Sequence, residues 1–253
     1  MDIESALAAD GTVAVVGAGG KKTTMYALAD RIDRSVVTAT VRIPIFDDHV
    51  ADVAVTDDPV AAVEEATVEG AATWPLGVVP EREREDRYLG YDPAVVDDLA
   101  AADLADAILV KADGARMRQF KAPGDREPRI PADVDTVIPI ASARVVGEPL
   151  DDDHVHRPER VAAVADVELD EELRPEHVAA VLASADGGLR DVPAGATVVP
   201  LVNMVDDADL ATVGREIATG ILDRVADADR DVSVPRVVLA RMIDDDPLVD
   251  VVE

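Results

Sequence analysis

A run of glycines, lysines and threonines near the amino terminus has the composition of a phosphate-binding turn. It comprises Gly17, Ala18, Gly19, Gly20, Lys21, Lys22, Thr23 and Thr24. Glycines let backbone N–H groups close around a phosphate, a following helix adds partial positive charge, and lysine adds a full charge. Thr23 or Thr24 could offer a hydroxyl to a magnesium ion. The segment therefore predicts a site for the phosphates of a nucleotide.

The spacing of this turn departs from two common nucleotide-binding fingerprints. A Walker sequence would need glycine at position 15, where the chain has valine. A dinucleotide fingerprint would need glycine at position 22, which is lysine. The alternative is a strand-to-helix turn that binds no ligand. Two lysines and two threonines directly after three glycines disfavour this alternative.

An aspartate follows the apolar segment at residues 106–112. Asp113 lies at the predicted carboxyl end of a strand, where α/β proteins hold a magnesium-side carboxylate. The alternative is an ordinary Asp-Gly turn without a ligand. We predict a magnesium ion at Asp113, with little loss of stability when the residue is changed to asparagine.

A third polar segment, Asn203-Met204-Val205-Asp206, follows another apolar run. It resembles the Asn-Lys-x-Asp segment of GTPases, in which the aspartate accepts hydrogen bonds from guanine. Met204 replaces the lysine that stacks on the base. The alternative is a helix cap. Asn203 and Asp206 therefore predict contacts to the base, with GTP preferred over ATP.

Basic residues cluster in and before the polar loop at residues 121–131. Lys121 opens this loop, and Arg116 precedes it. Because strand ends at one edge of a parallel sheet share a cleft, we predict that both residues join Lys21 and Lys22 in a positive cleft. The alternative is a solvated surface loop.

The elements that must position these residues alternate between short apolar strands and amphipathic helices. Strands are predicted near residues 12–17, 35–40, 52–56, 106–112, 136–140, 197–202 and 236–240, and helices near 22–32, 59–66, 93–102, 158–165, 175–183 and 208–225. This order predicts an α/β fold, P-loop NTPase-like, with a mostly parallel sheet and helices on both faces. We predict one domain over residues 1–253, with a small helical insertion at about 154–187.

Composition narrows the remaining possibilities. The 253 residues include no cysteine and four scattered histidines, which excludes disulfides and disfavours zinc. The net charge is −29, with 53 acidic and 24 basic residues, as expected for a very salty cytosol in which charges are screened within about 3 Å at 1 M salt. With no basic stripe and no long apolar run, we expect no nucleic-acid partner, no membrane span and a cytoplasmic location.

Several segments in one order resemble the YqeC family. They lie at residues 17–21, 111–116, 121–131, 147–159 and 203–206. Lys22 stands where that family usually has a hydroxyl residue, so Thr23 becomes the metal-side hydroxyl. An alternative register makes Lys22 the phosphate lysine, but the spacing to residues 28–29 favours Lys21. Lys111 stands where the family has glutamate.

The resemblance implies an accessory protein for the maturation of selenium-dependent molybdenum hydroxylases. The glycine turn and the residues at the strand ends predict that it binds a nucleoside triphosphate (GTP or ATP) with magnesium, and we expect it to hydrolyse that nucleotide. Its partner would be the hydroxylase or a precursor of its cofactor. One alternative is a non-catalytic, nucleotide-gated carrier or chaperone. Another is a small-molecule kinase or nucleotidyltransferase.

Overall fold

A central sheet organises the part of the chain that the computed structural model describes, residues 1–69, 73–226 and 232–253. Its strands and those of two small sheets are β1 (Gly11–Gly17), β2 (Ser35–Ala39), β3 (Ile43–Pro44), β4 (Asp52–Val55), β5 (Leu76–Val79), β6 (Arg87–Tyr88), β7 (Ala107–Lys111), β8 (Phe120–Lys121), β9 (Thr136–Ser142), β10 (Val155–His156), β11 (Thr197–Val198), β12 (Leu201–Asn203), β13 (Val237–Ala240) and β14 (Leu248–Val252). The helices are α1 (Ile3–Ala6), α2 (Lys21–Ala29), α3 (Pro59–Glu69), α4 (Pro93–Ala101), α5 (Pro158–Ala165), α6 (Pro175–Leu182) and α7 (Ala208–Ala226).

The main sheet is parallel except at one edge. Its order is β14-β13-β12-β9-β1-β7-β2-β5-β4, with β11 also paired to β9, and among its described strands only the β13–β14 pair is antiparallel. The central strands are apolar because both of their faces are covered, as is typical of parallel sheets. The predicted α/β fold with a mostly parallel sheet is confirmed.

Helices cover both faces of this sheet. Residues that alternate along β1 divide between two cores: Val13 and Val15 pack with α1 and α2, whereas Ala14 and Val16 lie in a core on the opposite face. On that opposite face, α3 and α4 pack over β2, β5 and β7, and α6 and α7 pack over β9, β12 and β13. The predicted placement of helices on both faces is therefore confirmed.

One predicted strand is interrupted. Residues 197–202 form two short strands, β11 and β12, that pair with β9 on either side of Pro200. Their common register places Pro200 opposite Pro139, which lies inside β9. Proline has no N–H to donate to a ladder, so the interruption faces the position at which β9 lacks a donor.

Residues 154–187 contain the two predicted helices, α5 and α6, together with the two-residue strand β10. Buried residues of α5 and α6 share one apolar core with α7 and with Ala141, Val202 and Leu239 of the sheet. The segment is thus packed against the sheet. Its description as an insertion in a single domain stays a prediction.

None of the helices in the described ranges is both long enough and apolar enough to cross a membrane.

Candidate functional site

The glycine turn joins β1 to α2 at the carboxyl edge of the sheet. Gly17, Gly19 and Gly20 have φ values of +88°, +96° and +123°, a region that side chains disfavour. A Cβ at Gly17 would overlap the backbone oxygen of Ile140, and one at Gly20 would overlap the side-chain amide of Asn203. Glycine is therefore required by both backbone conformation and close packing.

Asn203, at the end of β12, holds the glycine turn in place. Its Nδ2 donates to the carbonyl oxygen of Gly19 at 2.8 Å, and its Oδ1 accepts from the backbone N–H of Met242 at 3.1 Å. The side chain is buried. The structure places Asn203, a predicted base contact, against the glycine turn, with both atoms of its amide hydrogen-bonded to backbone. Its contact with a base stays a prediction.

Asp113, just after β7, lies beneath the turn and pairs with two lysines. Lys21 Nζ lies 2.8 Å from Oδ1, and Lys121 Nζ lies 2.9 Å from Oδ2. The backbone N–H of Gly17 also donates to Oδ2, at 2.8 Å. Lys21 additionally donates to the carbonyl oxygen of Gly17. The turn, the end of β7 and the start of the polar loop are thereby joined through one carboxylate.

The charges in this cluster shift each other's protonation. Burial alone would raise the pKa of Asp113, but Lys21 and Lys121 outweigh it and lower the pKa to about 2. Burial lowers the pKa of Lys21, an effect that Asp113 opposes. Because the carboxylate stays ionised, Asp113 supplies a fixed negative charge that holds both ammonium groups.

The ion pairs continue into the polar loop. Lys121 Nζ also lies 3.1 Å from Oε2 of Glu127 and donates to the carbonyl oxygen of Gly114 at 2.6 Å. The same Glu127 oxygen accepts from Arg157 at 2.7 Å. Burial raises the pKa of Glu127, but Lys121 and Arg157 outweigh it and keep the pKa below its ordinary value. A continuous chain of ion pairs therefore runs from Lys21 to Arg157.

Lys111, the last residue of β7, is buried without a carboxylate of its own. Its Nζ donates to the carbonyl oxygens of Arg42 at 2.9 Å and Asp113 at 2.7 Å. Burial, followed by the neighbouring charge of Lys21, lowers the pKa of Lys111 to about 7. This ammonium group can therefore lose its proton near neutral pH.

A cleft of about 570 Å³ opens above the glycine turn and is called the turn cleft below. Its lining includes residues 18–23 on one side and residues 114–119 on the other, with Pro44 and Met204. None of the lining residues that the structure describes is acidic. Seven are cationic: Lys21, Lys22, Arg42, Arg87, Lys111, Arg116 and Arg118. In a chain of net charge −29, the lining is a local excess of cationic side chains, although Lys21, Arg42 and Arg87 are paired with acids outside it.

Apart from Asn203, the predicted site residues lie in the lining of the turn cleft, beneath it, or away from it. Gly19, Gly20, Lys21, Lys22, Thr23 and Arg116 line the turn cleft. Gly17, Asp113 and Lys121 lie beneath it in the ion-pair cluster, and Thr24 is buried with its hydroxyl donating to Gly20. Asp206 does not line the cleft; its carboxylate accepts from Arg144. Contact between Asp206 and a guanine base stays a prediction.

The donors predicted for magnesium are separated in this arrangement. Thr23 is exposed at the turn cleft, whereas Asp113 is buried and lines a different cavity, of about 20 Å³, with Gly17 and Lys121. Both carboxylate oxygens of Asp113 face ammonium groups, and no cluster of three acidic or histidine side chains suits a metal ion within the described ranges. The residues as placed do not fit a magnesium ion shared by Thr23 and Asp113.

Sequence reasoning did not single out three of the cleft's arginines, Arg42, Arg87 and Arg118. Arg42 follows β2, Arg87 begins β6, and Arg118 lies in the connection from β7 to β8. The one sequence signal that could have indicated these arginines is that basic residues are scarce in this chain, 24 against 53 acidic residues. Nothing in their spacing indicated that separate connections meet above one turn.

Fold and site together define an α/β protein with a glycine-rich turn that opens a helix beside a cationic cleft. The chain belongs to the YqeC family, since residues 13–159 match the family described as "YqeC protein". It is also similar to "Uncharacterized protein YqeC" of Escherichia coli (strain K12), with 26% identity over 211 residues. That alignment covers 81% of this chain and 80% of the Escherichia coli protein.

Proposed function

We propose that the chain binds a nucleoside triphosphate in the turn cleft, with its phosphates at the glycine turn. The observation that carries this proposal is the lining of the cleft, which has seven cationic and no acidic side chains among the described residues. An anionic ligand meets repulsion over a surface of net charge −29, and local cations offset that repulsion. The start of α2 adds unpaired backbone N–H groups and the positive end of a helix dipole.

Lys22 is the lysine best placed to contact the phosphates. Lys21 is held by Asp113 and Gly17, so its charge is already compensated. Lys22 is half-buried at the same cleft and has no side-chain hydrogen bond or ion pair within the described ranges. This favours the alternative register, in which Lys22 binds phosphate and Lys21 fixes the turn.

The binding test compares Lys22→Ala with Arg224→Ala, an exposed cation on α7 outside the cleft. Titration calorimetry with ATP and GTP, in concentrated KCl with and without magnesium, gives the affinities. A charge-assisted hydrogen bond contributes about 1.5–3 kcal/mol, so Lys22→Ala should weaken binding at least tenfold and Arg224→Ala should not. Equal affinities in both variants and the wild type would refute a phosphate site at this turn.

Family membership suggests the process in which the bound nucleotide is used. By resemblance, we propose an accessory role in maturation of selenium-dependent molybdenum hydroxylases, with a hydroxylase or its cofactor precursor as partner. Co-expression of a molybdenum hydroxylase with the wild type or with Lys22→Ala tests this role. The molybdenum content of the purified hydroxylase should fall with the variant, and equal content would contradict the role.

Hydrolysis, gating and transfer make different predictions for the bound nucleotide. Phosphate release by the protein alone supports an NTPase, in which positioning and charge neutralisation supply catalysis. Release only with the client protein supports a nucleotide-gated carrier. Label transferred from the nucleotide to a cofactor precursor supports a kinase or nucleotidyltransferase.

A further inference from the structure

A second cleft adjoins the turn cleft on the side of the polar loop. This loop cleft has a volume of about 1080 Å³ and is bounded by residues 124–127 and Arg129, by His156, and by residues 40–42 and 89–90. Arg42, Gly114 and Arg116 line both clefts. The partition between the clefts therefore contains two arginines: Arg42, whose guanidinium pairs with Glu83, and Arg116, which has no side-chain partner within the described residues.

The loop cleft is also rich in cations. Its lining contains the six arginines Arg42, Arg116, Arg126, Arg129, Arg157 and Arg160, against two acids. Both acids are already paired, Glu127 with Arg157 and Asp125 with Arg160. An arginine has five N–H donors, so a single carboxylate partner leaves donors that suit a phosphate.

Two of these arginines are uncommitted. The side chains of Arg116 and Arg126 are exposed and have no hydrogen bond or ion pair within the described residues. Arg116 and Met117 both have positive φ, at +47° and +63°, in a tight turn closed by the Arg118 N–H and the Ala115 carbonyl. Such backbone is strained and clusters at ligand sites.

His156 adds an uncharged donor to this lining. Burial, followed by the charges of Arg157, Lys121 and Arg116, lowers its pKa to about 4. Its imidazole is thus neutral at pH 7 and can share a proton with a ligand oxygen.

We propose that the loop cleft binds the phosphate-bearing end of a second small molecule, next to a nucleotide in the turn cleft. The position of the nucleotide rests on the proposed function; the anion site itself does not. Cationic lining, spare guanidinium donors and a strained turn converge on this cleft, while most of the chain repels anions. Arg116, which lines both clefts and has no partner within the described residues, would bring the anionic ends of the two ligands together.

Inorganic pyrophosphate is the probe, titrated into the full chain in concentrated KCl after saturation with ATP and magnesium. Sulfate at equal ionic strength controls for screening. The double variant Arg126→Gln/Arg160→Gln removes two loop-cleft cations that do not line the turn cleft. The double variant Arg215→Gln/Arg224→Gln makes the same charge change on α7.

The loop-cleft double variant should weaken pyrophosphate binding at least tenfold, with ATP affinity within twofold of the wild type. The α7 double variant should change neither affinity. Absence of pyrophosphate binding to the ATP-saturated wild type, or wild-type affinity in the loop-cleft variant, would overturn the proposal. If ATP does not bind at all, the proposed function fails, and pyrophosphate binding that depends on Arg126 and Arg160 but not on Lys22 still supports the loop cleft.

Discussion

Lys121 Nζ lies 2.9 Å from Oδ2 of Asp113, and the two side chains are 1% and 2% exposed. Lys21 occupies the other carboxylate oxygen. One buried carboxylate therefore compensates two ammonium groups, one from the glycine turn and one from the polar loop. Since the aspartate contributes the negative charge on which both lysines depend, the geometry of the turn cleft depends on it.

Asp113→Asn should destabilise the fold, contrary to the prediction from sequence that stability would change little. Removal of one partner from a buried ion pair costs about 3–5 kcal/mol, because an unpaired charge stays buried. Urea denaturation in concentrated KCl measures the free energy of unfolding. Asp223→Asn, on the exposed face of α7, is the matched control. A loss below about 1 kcal/mol for Asp113→Asn would contradict the role given to this carboxylate.

Acid should destabilise the fold partly through protonation of Asp113. The pKa of Asp113 is about 2 in the folded chain against an ordinary value of 3.8. A lowered carboxylate pKa stabilises the fold above the ordinary value, and this contribution is lost as pH falls from about 4 to about 2. The loss of stability over that interval should be smaller in Asp113→Asn than in the wild type.

Gly20→Ala tests the contact between the turn and Asn203. Residue 20 has a φ of +123°, and the added Cβ would overlap the Asn203 amide, which holds Gly19. Gly147→Ala is the matched control, because Gly147 also has positive φ, +90°, but open space where its Cβ would lie. Both variants should lose about 1–3 kcal/mol from backbone strain. Gly20→Ala should lose more and should also weaken ATP binding, whereas Gly147→Ala should bind ATP normally.

Equal losses of stability and unchanged ATP binding in the two glycine variants would contradict this role. They would show that the Asn203 side chain can move away from the added Cβ without weakening the fold or the ATP site. Denaturation and calorimetry under the same salt conditions give both quantities.

The convergence of the site residues could be predicted from the sequence. Gly17, Asp113 and Asn203 each follow an apolar run, and the strands β1, β7 and β12 prove parallel, so their carboxyl ends share one edge. What the sequence did not reveal is the direction of the side chains. Lys21 turns back beneath the glycine turn to Asp113, a choice set by tertiary packing and not by local spacing.

Two strands of the main sheet, β5 and β14, were not predicted, for physical reasons. β5 contains Gly77, which weakens the strand pattern, and the reason for glycine there is tertiary: a Cβ would contact the ring of Phe46 at 2.5 Å. β14 is the antiparallel edge strand and alternates less than a half-buried strand should, with Asp250 between valines. Both assignments depend on neighbours distant in sequence.

Base choice gives a fourth expected outcome. If Asp206 reads guanine, GTP should bind more tightly than ATP, and Asp206→Asn should remove that difference, since a carboxylate accepts from two donors that adenine lacks. Arg144 binds this carboxylate in the structure and would have to release it. Calorimetry with both nucleotides decides the matter: equal affinities in the wild type would refute base reading by Asp206.

Lys111 should make anion binding depend on pH. It lines the turn cleft with a pKa of about 7, and a bound anion raises the pKa of a neighbouring ammonium group. Anion binding should therefore take up protons near pH 7, and affinity should fall as pH rises from about 6.5 to 8.5. Lys111→Met keeps the length of the side chain but cannot titrate, so its affinity should change less over this interval. Calorimetry in buffers of different ionisation enthalpy counts the protons directly. Proton uptake that is identical in Lys111→Met and the wild type would place the titrating group elsewhere.

The effect of Lys111 on stability has the opposite sign. Because its pKa in the folded chain lies below the ordinary 10.5, the unfolded chain holds more protons between about pH 7 and 10.5. The free-energy cost of burying Lys111 therefore diminishes as pH rises over that interval.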